Sequence, residues 1–145
     1  MRKRFFSVFF LLAVIMSLNN TVWAADTGVV PYASDYLDGC SVRLRTNGVG
    51  SMAVDVTVDA VGIADVVGII EIYVERQENG KWYFYKSLDS VDHPEFYDYN
   101  SRDYLATIHF DAESGYTYRV TITAYAEKGS GSDTLDITSY SCKCK

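Results

Sequence analysis

The stretch Gly115-Tyr116-Thr117-Tyr118-Arg119-Val120-Thr121-Ile122-Thr123-Ala124-Tyr125-Ala126 constrains this chain more than any other. Large and polar residues alternate through it without a slip, the two-residue period of a strand with one buried and one wet face. The glycine that opens it supplies a tight corner. A helix would scatter these apolar positions around its axis, so the segment is a β-strand, and its neighbours must be strands that can pair with it.

The rest of the chain reads in the same way. Cys40, Val42 and Leu44 share one face of a first strand. Met52, Val54, Val56 and Val58 then alternate with Asp55, Thr57 and Asp59. Residues 61–68, with Gly62 and Gly68, read as a loop or bulge. In 69–76 the carboxylates of Glu71 and Glu75 mark the wet face, which turns Ile70, Ile72 and Val74 inward. Asn79-Gly80 is a hairpin turn, because both central residues of a type I′ turn need positive φ. The aromatic run 82–86 returns, and 87–103, polar and acidic, reads as a long crossing loop. Strands at 104–110 and 134–140 complete the set, the latter after a Gly/Ser turn at 128–133. No amphipathic helix is present. About seven short strands with turn signals between them predict an all-β fold, a two-sheet antiparallel β-sandwich of the immunoglobulin or fibronectin type III kind.

The first residues point to export. Met1-Arg2-Lys3-Arg4 is basic, 5–18 is an almost unbroken apolar run, and Val22-Trp23-Ala24 fits a cleavage site. That run falls short of the roughly 18 residues a membrane-spanning helix needs. The organisation expected is a signal peptide at 1–24, an extended lead-in at 25–39 and a β-sandwich domain at 40–145, secreted with no insertion in a membrane. Removing Arg2, Lys3 and Arg4 from 13 Lys and Arg leaves 10 against 19 Asp and Glu, a net charge of −9. Such a balance argues against nucleic acid and anionic lipid as partners, since basic patches supply that affinity.

Three cysteines remain in a compartment that permits disulfides. A bridge from Cys40 to Cys142 or Cys144 would tie the first strand to the last. The spare thiol is then free, or links two chains as a homodimer, which a non-covalent contact could equally form. The two histidines, His93 and His109, lie far from the cysteine tail, which disfavours zinc. No nucleophile motif accompanies either histidine, so a small secreted enzyme is the disfavoured reading, and no cofactor is expected. Asp89, Asp92, Glu95, Asp98 and Asp103 gather oxygen ligands in one stretch, a weak calcium candidate without an organising motif.

Aromatic placement carries the strongest functional hint. A strict two-residue turn at Asn79-Gly80 pairs Glu78 with Lys81, Val74 with Tyr85 and Glu75 with Phe84, and directly opposed residues share a face. Trp82 and Phe84 then lie outside, beside Tyr73, Glu75 and Gln77. Tyr125 joins that face from the sixth strand and Tyr140 from the last. One extra residue in the turn would instead expose Tyr83 and Tyr85. Aromatics with a polar rim suit a contact patch. The expected role is a non-catalytic binding module recognising a protein or cell-surface partner through Tyr73, Trp82, Phe84 and Tyr125. A carbohydrate-binding domain stacking sugars on the same rings is the alternative.

The spacing of Gly115, Tyr118, Val120, Ile122 and Ala124 resembles the fibronectin type III signature around the sixth strand. That resemblance implies a tyrosine corner at Tyr118, its hydroxyl bonding backbone across the turn. The early-strand tryptophan of those modules is absent. More closely, Ala33-Ser34-Asp35-Tyr36-Leu37-Asp38, residues 68–75, Asn79-Gly80-Lys81-Trp82 and residues 118–133 resemble a family of small exported Gram-positive bacterial proteins known as a domain of unknown function. This resemblance implies fold and export and no site residues.

Overall fold

A computed structural model describes residues 30–31 and 34–145 of the chain. The expected signal peptide at 1–24 and the first part of the lead-in lie outside the described residues. The strands are β1 (Val30–Pro31), β2 (Leu37–Thr46), β3 (Ser51–Glu78), β4 (Lys81–Asp89), β5 (Tyr97–Asp111), β6 (Thr117–Lys128), β7 (Gly131–Thr138) and β8 (Cys142–Lys143), with one 3-10 turn at Pro94–Phe96. All pair antiparallel in a single sheet. Among the described residues no helix is long and apolar enough to cross a membrane.

The sheet is organised around β3, which runs through 28 residues. Straight, it would span about 90 Å, far more than a domain of this size, so it must bend. Its first half lies between β2 and β5, Val56 facing Val42 on one side and Ala106 on the other. At 66–68 it lies between β5 and β6, and beyond that between β4 and β6. The sheet therefore curls around β3 into a half-barrel. The stretch 61–68, read from sequence as a loop or bulge, is the part of β3 that turns from one set of neighbours to the other, and its pairing with β5 slips between Asp59 and Ala64. Gly68 is required there: a Cβ at this position would stand 2.0 Å from the Phe96 carbonyl oxygen.

The core fills the concave side. Met52, Val54 and Val58 from β3, Tyr118, Val120, Ile122, Ala124 and Ala126 from β6, and Phe96 from the 3-10 turn are buried there. Burying each aliphatic side chain of the valine or isoleucine class contributes about 1.5–3 kcal/mol. The alternation of β6 is met residue for residue. In β3 the pairing with β6 slips between Ile69 and Glu71, leaving Ile70 unpaired. The bulge changes the phase, so that Ile69 rather than Ile70 is fully buried.

Two boundaries differ from the sequence reading. The crossing loop expected over 87–103 is mostly strand, since β4 runs to Asp89 and β5 starts at Tyr97. Its first residues read as loop because Asp98, Tyr99 and Asn100 are all exposed and show no alternation. Leu37, placed in the lead-in, is the first residue of β2 and is fully buried.

Candidate functional site

The Asn79-Gly80 turn has both residues at positive φ, 50° and 78°, as a type I′ turn demands. Glu78 faces Lys81, Gln77 faces Trp82 and Glu75 faces Phe84. Past this point the register slips, and Val74 pairs with Lys86 instead of Tyr85. Tyr85 is the extra residue of a bulge. It turns into the core, where its ring meets Tyr118 edge-on at 5.2 Å.

Trp82, Phe84, Tyr73 and Glu75 accordingly share the convex face of the sheet. Tyr73 and Phe84 lie side by side, centroids 5.2 Å apart and planes tilted by 39°. They are 38% and 59% exposed. Trp82 is half-buried because Arg119 of β6 covers it, the guanidinium 4.5 Å from the ring centroid. The same guanidinium is held by Glu75, whose carboxylate accepts from Nε at 2.6 Å and from Nη2 at 3.1 Å. Three adjacent strands thus contribute one side chain each to a Trp–Arg–Glu stack. A bidentate charge-assisted pair is directional, and a cation over an indole adds about 0.5–1 kcal/mol at such a site. Next to this stack the face turns polar: Thr121 bonds Thr138 at 2.8 Å, and Thr123 donates to Asp136 at 2.7 Å.

Tyr125 is not part of this cluster. It faces Gly68, four residues along β6 from Thr121, the residue opposite Tyr73, a separation of about 13 Å. It packs edge-on against Tyr97 at 6.0 Å and its hydroxyl donates to Glu127. Tyr140 lies beyond the end of β7 and is exposed. Arg119, which sequence reading passed over, is the central residue of the patch. Its outward phase was legible, but its partner Glu75 lies 44 positions away and only register brings them together.

The remaining candidates fall elsewhere. The Tyr118 hydroxyl accepts from the Glu113 backbone N–H at 2.9 Å and donates to the Glu113 carbonyl at 3.3 Å. The acidic residues Asp89, Asp92, Glu95 and Asp98 do not converge: among the described residues no group of three or more ligating side chains could hold a metal ion. Asp89 is instead occupied as a turn cap, its Oδ1 accepting from the Val91 and Asp92 N–H groups at 3.0 and 3.1 Å. Glu95 accepts from the His93 ring at 2.9 Å, and this contact holds its carboxyl below the usual range.

The expected disulfide is absent, and Cys40, Cys142 and Cys144 are free. The reason is register. Lys145 accepts from Gly50 N–H in the turn that follows Thr46, whereas Cys40 sits six residues back along β2, about 20 Å away. A disulfide needs Cα atoms within about 7 Å. Burial pushes the Cys40 thiol up to about 12, with the Asp59 carboxylate adding to the effect.

Both histidines line a groove of about 390 Å³ beside β5. The Tyr104 hydroxyl donates to the Glu95 carbonyl at 3.3 Å, and burial, followed by Asp98 and Glu95, pushes it up to about 12. Thr107 donates to Asp55 at 2.8 Å. Comparison with known proteins finds no matching family model, no similar curated protein and no similar solved structure.

Proposed function

We propose that this protein is an exported, non-catalytic binding module that grips a protein partner with the convex face of β3, β4 and β6. The observation that carries this reading is the exposed Tyr73–Phe84 pair flanked by the Trp82–Arg119–Glu75 stack. Aromatic residues and arginine are the types enriched at protein interfaces and at their energetic centres. Here their orientation is set before any partner arrives, which lowers the ordering cost of binding.

A sugar platform is the weaker reading of the same residues. Stacking a pyranose needs an open ring face, and Arg119 already covers one face of Trp82. The 39° tilt between Tyr73 and Phe84 also denies a flat shelf. The finer fold reading belongs with this proposal. The division of β3 between β2 and β5 on one half and β4 and β6 on the other supports the two layers of an immunoglobulin or fibronectin type III sandwich. The basic and apolar start of the chain supports a signal peptide cleaved after Ala24 and a secreted protein.

Retention on immobilised protein tests the role. Secreted proteins, insoluble cell walls and polysaccharides are offered in parallel to the protein and to a Tyr73→Ala, Phe84→Ala variant. Retention by a protein fraction that the variant loses supports the reading. Retention by polysaccharide alone, or retention indifferent to both substitutions, contradicts it.

A further inference from the structure

The edges of this sheet are not protected alike. β4 carries Lys81, Lys86 and the bulge at Tyr85. β7 is eight residues long with Asp133 and Asp136, and β1 ends in Pro31. Lysines, bulges, prolines and short strands keep an edge from pairing with another chain. β5 has none of these over Tyr104-Leu105-Ala106-Thr107-Ile108-His109-Phe110, seven residues without formal charge, proline or glycine. Among the described residues it pairs with β3 alone. The groove beside it is lined by residues 104 to 109 in unbroken succession, with His93, Glu95 and Asp98 of the preceding segment along it.

We propose that this edge pairs with the same edge of a second copy of the chain, antiparallel and centred on Ala106, making one sheet continuous across a two-fold dimer. The registry follows from two groups left over on the exposed face of β5. The Asn47 side-chain amide lies 3.1 Å from His109 Nδ1, and because an amide N–H donates, Nδ1 accepts. The neutral ring then carries its proton on Nε2, a donor with no partner among the described residues. Six positions back, the Asp103 carboxylate is an exposed acceptor, likewise without a partner among them, and it already faces Asp59 across the β3–β5 pairing.

Antiparallel pairing centred on Ala106 sets Asp103 of each copy against His109 of the other and Leu105 against Thr107. On the opposite face it lays Tyr104 over Ile108, which with Ala106 forms the half-buried rim of the core. Centring on Thr107 instead would oppose Asp103 to Asp111, and like charges directly opposite destabilise a pair. A second copy is the occupant whose own chemistry supplies both missing partners.

Light scattering on the eluting protein, over a wide range of concentration, tests this. The mass doubles as concentration rises; His109→Asp holds it at the monomer value, and Asp103→His combined with His109→Asp restores doubling. Both sites are exposed, and a thermal melt of each variant confirms that it is folded. Trp82→Ala leaves the dimer intact, so failure here and failure of the convex-face reading are separable. A monomer at every concentration overturns the proposal, as does a dimer indifferent to His109→Asp or a charge swap that restores nothing.

Discussion

The Arg119 guanidinium stands 4.5 Å over the Trp82 ring while the two Glu75 oxygens accept from its Nε and Nη2. Each of the three residues lies on a different strand, so the stack reports the register of β4, β3 and β6 together. If cleavage occurs after Ala24, Trp82 is the single tryptophan of the mature chain, which makes the stack optically visible.

Replacing Arg119 by Ala should uncover the indole at modest cost, about 1 kcal/mol for an incompletely buried ion pair with its cation–π contact. Acrylamide quenching of Trp82 fluorescence should rise, with little change in the thermal midpoint. Glu75→Ala should produce the same rise by releasing the guanidinium, and quenching unchanged in both variants would contradict the stack.

Tyr118→Phe keeps the buried ring and removes one hydroxyl. It strands the Glu113 N–H that donates to that oxygen, which is a larger loss than a solvent-exposed hydrogen bond. The expected cost is about 1–3 kcal/mol in urea denaturation. A midpoint equal to that of the parent protein would mean that water replaces the contact freely.

Gly68→Ala should be among the most damaging single changes. The new methyl would overlap the Phe96 carbonyl, and the buried Phe96 ring leaves that backbone little room to retreat. Overpacking of this kind costs about 3 kcal/mol. Gly80→Ala gives the comparison, because nothing lies within 4 Å of a Cβ there and only the positive φ is strained.

The three thiols should separate kinetically. With its pKa near 12, Cys40 is ionised in only about one molecule in ten thousand at pH 8, and only the thiolate reacts. A disulfide-exchange reagent should therefore label the half-exposed Cys142 first, while buried Cys40 waits for unfolding. The same burial makes the fold sensitive to alkali. The unfolded thiol ionises near pH 9 and the folded one near 12, so the unfolded state binds fewer protons in between. Stability should fall across that window, by at most about 1.4 kcal/mol per pH unit for this group. Cys40→Ala should flatten the decline between pH 9 and 10, before tyrosines contribute.

Much of this architecture was legible because local periodicity is enforced by burial. Tyr118 to Ala126 and Met52 to Val58 alternate since one face of each is fully inside, and Asn79-Gly80 announces its own turn. What escaped was everything set by the curl of the sheet. The bulges at Ile70 and Tyr85 have no signature of their own, yet they decide which isoleucine is buried and that Lys86 rather than Tyr85 faces Val74. The start of β5 looked like loop because its residues are wet on both sides. The disulfide failed on geometry that spacing does not contain: Cys40 and the tail meet opposite ends of β2. In the patch itself, Tyr73, Trp82 and Phe84 were readable from hairpin pairing, whereas Arg119 required the long-range register of β6, and Tyr125 was placed too near.

The most direct test of the convex face is site-specific photo-crosslinking in the culture of a cell that makes the protein. A benzophenone side chain replaces Phe84 in one protein and Val49, which is 86% exposed in the turn between β2 and β3, in another. A discrete protein adduct from position 84 and none from position 49 is the predicted result. No adduct at 84, or the same adducts from both positions, would contradict recognition through this face.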